Sequence, residues 1–153
     1  MHILEHKIPP PLVAAAIAFA MWSLSSLLPK SAASENTRLA LSITIALIGI
    51  GFALAGVIAF RRSRTTVNPL HPEQATALVT GGVYRISRNP MYVGMLLCLL
   101  AWAIYLASPL SLAGPVAFIL FINRFQIEPE EKILAAKFGA SFSAYCASAR
   151  RWL

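Results

Sequence analysis

The sequence contains no aspartate, and six glutamates are its whole acidic complement. Charged residues make up 12% of the 153 positions, about half of the roughly 25% usual in a soluble domain. Cysteine is scarce: Cys98 and Cys146 stand far apart, and neither belongs to a CxxC or a Cys/His cluster. This excludes a disulfide framework and leaves no zinc signature, so no metal is expected. Cys98 lies inside an apolar run and reads as a small packing hydrophobe. A 58% hydrophobic composition argues against disorder and collagen-like repeats. Thirteen Lys and Arg against the six glutamates give a net charge of +7. Nucleic-acid binding is one use of such a balance, but a chain this apolar does not fit it. A membrane protein with basic cytoplasmic loops does.

Long uncharged runs are what the sequence has in abundance. Leu12 to Leu28 (17 positions), Leu39 to Phe60 (22), Met91 to Ala107 (17) and Pro109 to Asn123 (15) carry no charge. A helix needs about 20 apolar residues, within a range of about 17–25, to cross a bilayer. The fourth run reaches that range only with Arg124 and Phe125. The expected fold is therefore an all-α integral membrane bundle of one domain, residues 1–153. Its spans are 12–28, 39–60, 91–107 and 109–125, followed by short cytoplasmic C-terminal helices over 129–150. The first run follows Pro9-Pro10-Pro11 and leads into Leu27-Leu28-Pro29-Lys30, not into a small-residue cleavage site, so it reads as a retained span.

Four spans put the N-terminus, the middle loop and the C-terminal segment on one side. That side collects 11 of the 13 basic residues, Arg61, Arg62 and Arg64 among them. The positive-inside rule makes it cytoplasmic, and the expected location is a prokaryotic inner membrane with both termini inside. Ser108-Pro109 should form a tight outer turn. Gly49, Gly51 and Gly56 read as helix-packing positions, and Pro115 as a kink in the fourth span.

No span holds an ionisable residue in its interior, which disfavours an ion-coupled exporter. The polar residues gather in two segments at the cytoplasmic span ends. The first runs Thr80-Gly81-Gly82-Val83-Tyr84-Arg85-Ile86-Ser87-Arg88-Asn89-Pro90-Met91-Tyr92-Val93-Gly94. Gly81-Gly82 signals a turn, Pro90 suits a helix first turn, and Asn89 suits its N-cap. Arg85 and Arg88 at that helix start would favour an anion; as membrane anchors, with Tyr84 and Tyr92 in an aromatic belt, they need no ligand. The second segment begins Arg124-Phe125-Gln126-Ile127-Glu128-Pro129-Glu130-Glu131 and runs through Phe138-Gly139 to Tyr145 and Arg150-Arg151-Trp152. Its glutamates suit a helix first turn, Gly139 a helix stop and Ser141 the cap of a last helix. They equally suit a cationic or hydroxylated ligand. His71 and Asn68-Pro69 read as structural.

The two segments together resemble the membrane methyltransferases of the isoprenylcysteine carboxyl methyltransferase and phospholipid methyltransferase superfamily. The likeness rests on Gly-Val-Tyr-Arg-x-x-Arg-Asn-Pro-Met-Tyr-x-Gly followed by Pro-Glu-Glu-x-x-Leu-x-x-x-Phe-Gly-x-x-Phe-x-x-Tyr and a final Arg-Trp, over Arg61 to Leu153. It implies S-adenosylmethionine as methyl donor at the cytoplasmic face and a small-molecule or lipid-like acceptor, prenylated or otherwise, among membrane lipids. By position, Glu130 and Glu131 match the paired glutamates associated with donor binding. Tyr84, Asn89, Pro90, Tyr92 and Gly94 match the segment lining the same pocket, and Arg88 and Arg124 are left to position a carboxylate acceptor. Asn89 stands where the carboxyl methyltransferases carry His, so a role needing an imidazole is not available to it. The rival readings are a phospholipid or small-lipid N-methyltransferase, an inactive relative, and a non-catalytic membrane protein or small transporter.

Overall fold

The computed structural model describes residues 8–27, 34–63 and 77–153. Arg64, Asn68-Pro69, His71 and the end of the first expected span at Leu28 lie outside them. Every regular element among the described residues is helical. Helix α1 spans Pro10–Leu24, α2 Glu35–Arg62, α3 Pro90–Leu106, α4 Ala113–Ile122, α5 Glu128–Phe138 and α6 Ala140–Ser148. Short 3-10 turns, Gly82–Arg85 and Pro109–Leu112, precede α3 and α4, and a single π-helical turn, Asn123–Ile127, joins α4 to α5.

Two helical stretches are long and apolar enough to cross a membrane, against the four expected: Glu35–Arg62 and the continuous run Pro109–Phe138. Helix α3 falls where the third run predicted it and, at 17 residues, stands at the lower limit of the crossing range, whereas α1, at 15, falls below it. Helix α1 stops four positions short of Leu28 for a local reason. The hydroxyls of Ser23, Ser25 and Ser26 donate to the carbonyls of Phe19, Trp22 and Ser23, drawing acceptors from the helical ladder. The fourth run does not end near Phe125. It continues through the π turn into α5: Glu128 N–H donates five residues back to the Asn123 carbonyl, and Pro129, which has no N–H to give, follows directly. Pro115 likewise sits in the first turn of α4, directly after a 3-10 turn, rather than at a mid-helix kink.

Helix α2 packs on α3 and is otherwise bare: only 11% of its most apolar window is buried, so its apolar surface faces outward on most sides. The contact depends on glycine. A Cβ on Gly49 would lie 2.7 Å from the Gly94 carbonyl oxygen, and one on Gly94 would lie 2.5 Å from that of Gly49. Gly56 abuts Met91 and Pro90 in the same seam, whereas Gly51 faces open space and takes no part in it. Gly94, one of the residues matched to the donor segment, thus also forms part of this seam.

Helices α1, α3 and α4 share the main core, built on Met21, Tyr92, Leu99, Phe118, Ile122 and Ile127. A second cluster at one end joins Val79 and Tyr84 to Phe142, Tyr145 and Ala149, with Phe60 and Phe138 against it. The expected turn at Ser108-Pro109 is present, with Ala107 in the left-handed conformation (φ 54°) closing α3. Gly139 (φ 50°) stops α5 as expected and also occupies the N-cap of α6, so Ser141 lies inside that helix and does not cap it.

Candidate active site

The π turn sets the geometry. Phe118, Ile122, Gln126 and Glu130 follow one another at four-residue steps. Each such step drifts by about 40° around an α-helix of 3.6 residues per turn. The wider turn at Asn123–Ile127 offsets that drift, so a line of buried residues passes from the apolar core into polar ground. Gln126 is buried, and its Nε2 donates to Glu130 Oε1 at 2.8 Å. Tyr92, in the first turn of α3, donates its hydroxyl to the same oxygen at 2.7 Å.

Glu131, one position on, points elsewhere. Arg88 Nη2 donates to its Oε1 at 2.8 Å, while Arg151 reaches both oxygens, Nη2 to Oε2 at 2.6 Å and Nε to Oε1 at 3.2 Å. Arg88 also donates through Nη1 to the carbonyls of Cys146 (3.2 Å) and Ala149 (2.7 Å), satisfying acceptors at the end of α6 where a cation complements the helix dipole. The segment after α6 is stitched to the chain before α3. Arg88 N–H donates to Arg150 O at 2.8 Å, Asn89 Nδ2 to Arg151 O at 2.9 Å, and Trp152 Nε1 to Asn123 Oδ1 at 3.0 Å. Asn89 therefore occupies the N-cap position of α3 without a capping bond, its side chain being drawn to Arg151 and its N–H to Ser87 Oγ.

The two adjacent carboxylates end in opposite states. Burial pushes Glu130 up to about 7, with the negative charge of Glu131 adding to the rise and the bonds from Tyr92 and Gln126 opposing it. Burial also works against the charge of Glu131, but the hydrogen bonds and charges of Arg151 and Arg88 outweigh it and hold that carboxyl below its ordinary value. Tyr84 is 4% exposed, and its hydroxyl has no hydrogen-bond partner among the described residues. Burial raises its pKa, with Tyr145 and Glu130 adding to the effect. Tyr145 spends its own hydroxyl on the Tyr84 carbonyl at 2.8 Å.

Of the residues singled out in the sequence, Tyr84, Arg88, Asn89, Tyr92, Glu130 and Glu131 converge at this end of the bundle. Pro90 is the buried first residue of α3. Arg124 pairs with Glu128 at 3.1 Å on an exposed flank. Gln126 and Ser87 were not singled out, and Arg151 entered only within the final Arg-Trp; the four-residue step from Gln126 to Glu130 was the signal available for Gln126. Among the described residues, no three His, Cys, Asp or Glu side chains gather as a metal site.

Comparison with known proteins bears on the same region. The family model for phospholipid methyltransferases matches residues 37–141, which hold nearly all of α2, all of α3 to α5 and the cluster from Tyr84 to Glu131, but not Tyr145 or the segment after α6. The chain belongs to that family. A probable protein-S-isoprenylcysteine O-methyltransferase of Oryza sativa subsp. indica is 35% identical over 106 residues, 67% of this chain and 54% of its own length. Protein-S-isoprenylcysteine O-methyltransferase A of Arabidopsis thaliana is 35% identical over 97 residues, 61% of this chain and 48% of its own. The chain thus spans about half the length of these plant relatives. An uncharacterised Haemophilus influenzae protein is 48% identical over 63 residues, its whole length and 41% of this chain. No solved structure matches.

Proposed function

We propose that this member of the family is an integral membrane methyltransferase that takes its methyl group from S-adenosylmethionine and passes it to the carboxylate of a lipid-like or prenylated acceptor at the cytoplasmic membrane face. One observation carries the reading: among the described residues, of two adjacent glutamates, Glu131 holds the guanidiniums of Arg88 and Arg151 and Glu130 holds none. A buried carboxylate fixed by neutral donors and lacking a cation suits a ligand that brings its own positive charge. The orphaned Tyr84 hydroxyl beside it supports the same conclusion, since a buried polar group without a partner is costly unless a ligand supplies one.

The donor supplies an electrophilic methyl on a sulfonium: as the acceptor oxygen forms its bond to that carbon, the C–S pair stays on sulfur, leaving a neutral thioether and an ester with no proton to remove. Glu130 would hold the cationic portion, with Tyr92 and Gln126 fixing its orientation. Tyr84 would offer a hydroxyl, and the burial of Tyr84 and Tyr92 would keep water out. Glu131, Arg88 and Arg151 would act as the frame that fastens the segment after α6 over this end of the bundle. The bare apolar surface of α2 and the short apolar helices α1 and α3 support a bilayer as the surrounding solvent. The segment from Glu128 onward, with its charges, would lie at the cytoplasmic boundary. An N-methyltransferase acting on a phospholipid amine is the second reading. The family description favours it, and Glu130, near neutrality, could take the amine proton.

Calorimetric titration of the detergent-purified chain with S-adenosylmethionine and its demethylated product tests the donor. Saturable binding that Glu130→Gln abolishes is expected. A folded protein that binds neither ligand would sink the reading. Base treatment of the methylated product then separates the acceptors, because esters hydrolyse and N-methyl groups do not.

A further inference from the structure

A groove of about 420 Å³ runs between the end of α2 and the chain that leads into α3. Ala55, Ala59 and Arg62 line one side; Val79, Gly81 and Val83 line the other. The recess exists because its walls carry alanine and glycine where larger side chains would fill it. Its volume falls at the lower end of ligand pockets, about 300–1,000 Å³. The walls are apolar, and the charged lining group is Arg62, at the last residue of α2. A water-soluble anion would match Arg62 but not the trough, and a neutral hydrocarbon would match the trough but not Arg62. A single-chain amphiphile with an acidic head matches both.

The groove also adjoins the cluster described above. Its wall is the 3-10 turn Gly82–Arg85. Val83 of that turn faces the groove, while the next residue, Tyr84, packs edge-on against Phe60 of α2 with ring centroids 5.3 Å apart and carries the unpartnered hydroxyl. The same 3-10 turn therefore forms one wall of the apolar trough and carries the Tyr84 ring on its other side. We infer that this groove is the subsite for the apolar tail of a single-chain, acid-headed methyl acceptor, with Arg62 steering the head towards the Tyr84 side. The inference rests on the methyltransferase reading and adds to it the location and class of the acceptor.

The test uses the full chain with two acceptors, N-acetyl-S-farnesylcysteine and its single-isoprene analogue. Gly81 has extended backbone (φ −93°, ψ 167°), and a Cβ there would meet nothing within 4 Å, so Gly81→Leu fills groove volume without backbone strain. Ala55→Leu fills it from the opposite wall. Each variant is expected to raise KM for the farnesyl acceptor at least tenfold relative to the single-isoprene acceptor, with S-adenosylmethionine affinity retained as the check on folding. Arg62→Gln should raise KM for both acceptors several-fold, since both carry the carboxylate. Equal effects of the two leucine variants on both acceptors, or no effect on either, would overturn the groove assignment while leaving the methyltransferase reading intact. A wild-type chain that methylates neither acceptor and binds no donor would remove that reading, and the groove assignment with it.

Discussion

Tyr92 on α3 and Glu130 on α5, 38 positions apart in the chain, meet at 2.7 Å, hydroxyl to carboxylate. Gln126 donates to the same oxygen, so the orientation of Glu130 is held from two helical stretches at once. Hydrogen bonds to charged groups contribute about 1.5–3 kcal/mol. Tyr92→Phe should therefore weaken S-adenosylmethionine binding by about tenfold or more and push the Glu130 pKa higher still. Titration calorimetry across a pH series would show both effects. An unchanged affinity and an unchanged pH midpoint would detach Tyr92 from donor binding.

The adjacent glutamates should respond oppositely to neutralisation. Glu131→Gln strips two arginines of their shared carboxylate and should lower stability by about 1–3 kcal/mol, after allowing for the partial exposure of Arg151. Glu130→Gln removes a desolvated charge and should leave stability at pH 8 unchanged or raised, while abolishing donor binding. Thermal unfolding in detergent, run beside calorimetry, separates the two.

Stability should peak in mild acid. Between its ordinary value of 4.5 and about 7, Glu130 keeps in the folded state a proton that the unfolded chain has released, so stability falls as pH rises through that window and levels off above it. Glu131 runs the other way. Its folded pKa lies below 4.5, so its contribution is complete above that pH and is lost as pH drops through the folded value. Glu130→Gln should abolish the decline on the neutral side and keep the acid one. Unfolding midpoints measured from pH 3 to 9 would check this.

Donor binding should release a proton from Glu130. Below about pH 7 the site is protonated, and a cationic ligand must displace that proton. Affinity should then climb by about tenfold per pH unit until it flattens above 7. Calorimetry in two buffers of different ionisation enthalpy should register close to one proton released at pH 6 and close to none at pH 8, where Glu130 is already ionised.

The α2–α3 seam should be intolerant at particular positions. Gly94→Ala would set a methyl 2.5 Å from the Gly49 carbonyl oxygen, and overpacking of this kind costs about 1–3 kcal/mol. Gly51→Ala, two positions from Gly49 and facing open space, should be neutral or stabilising by about 0.5–1 kcal/mol through helix propensity. Unfolding of both variants in the same detergent gives the comparison.

Hydropathy was enough to locate α2 and α3, because an uncharged run needs no tertiary partner to be recognised. It overran α1, where serine hydroxyls bonding to nearby carbonyls compete with the helix, a contest that mean apolarity does not register. It also broke the chain before Pro129, where the π turn in fact carries the helix onward. The site was legible as a set of residues but not as a division of labour. Glu130 and Glu131 look equivalent in the sequence, yet successive helical positions diverge by about 100°, which sends one to Tyr92 and the other to two arginines. Arg88 looked equally suited to hold an acceptor. Its carbonyl partners lie 58 and 61 residues away, beyond the reach of any local pattern.

A π turn can be lost by deleting one residue, which restores the ordinary helical ladder at little cost to the helix itself. Glu130 would then lie seven ordinary steps from Ile122, about 700°, and would stay within about 20° of the core line, whereas the same stretch drawn into ordinary helix without a deletion would turn through about 800° and set Glu130 about 80° out of line. The length and the turn geometry of this helix are thus coupled: a one-residue loss that also removes the π turn keeps Glu130 on the side of Tyr92, and straightening the helix at its present length does not.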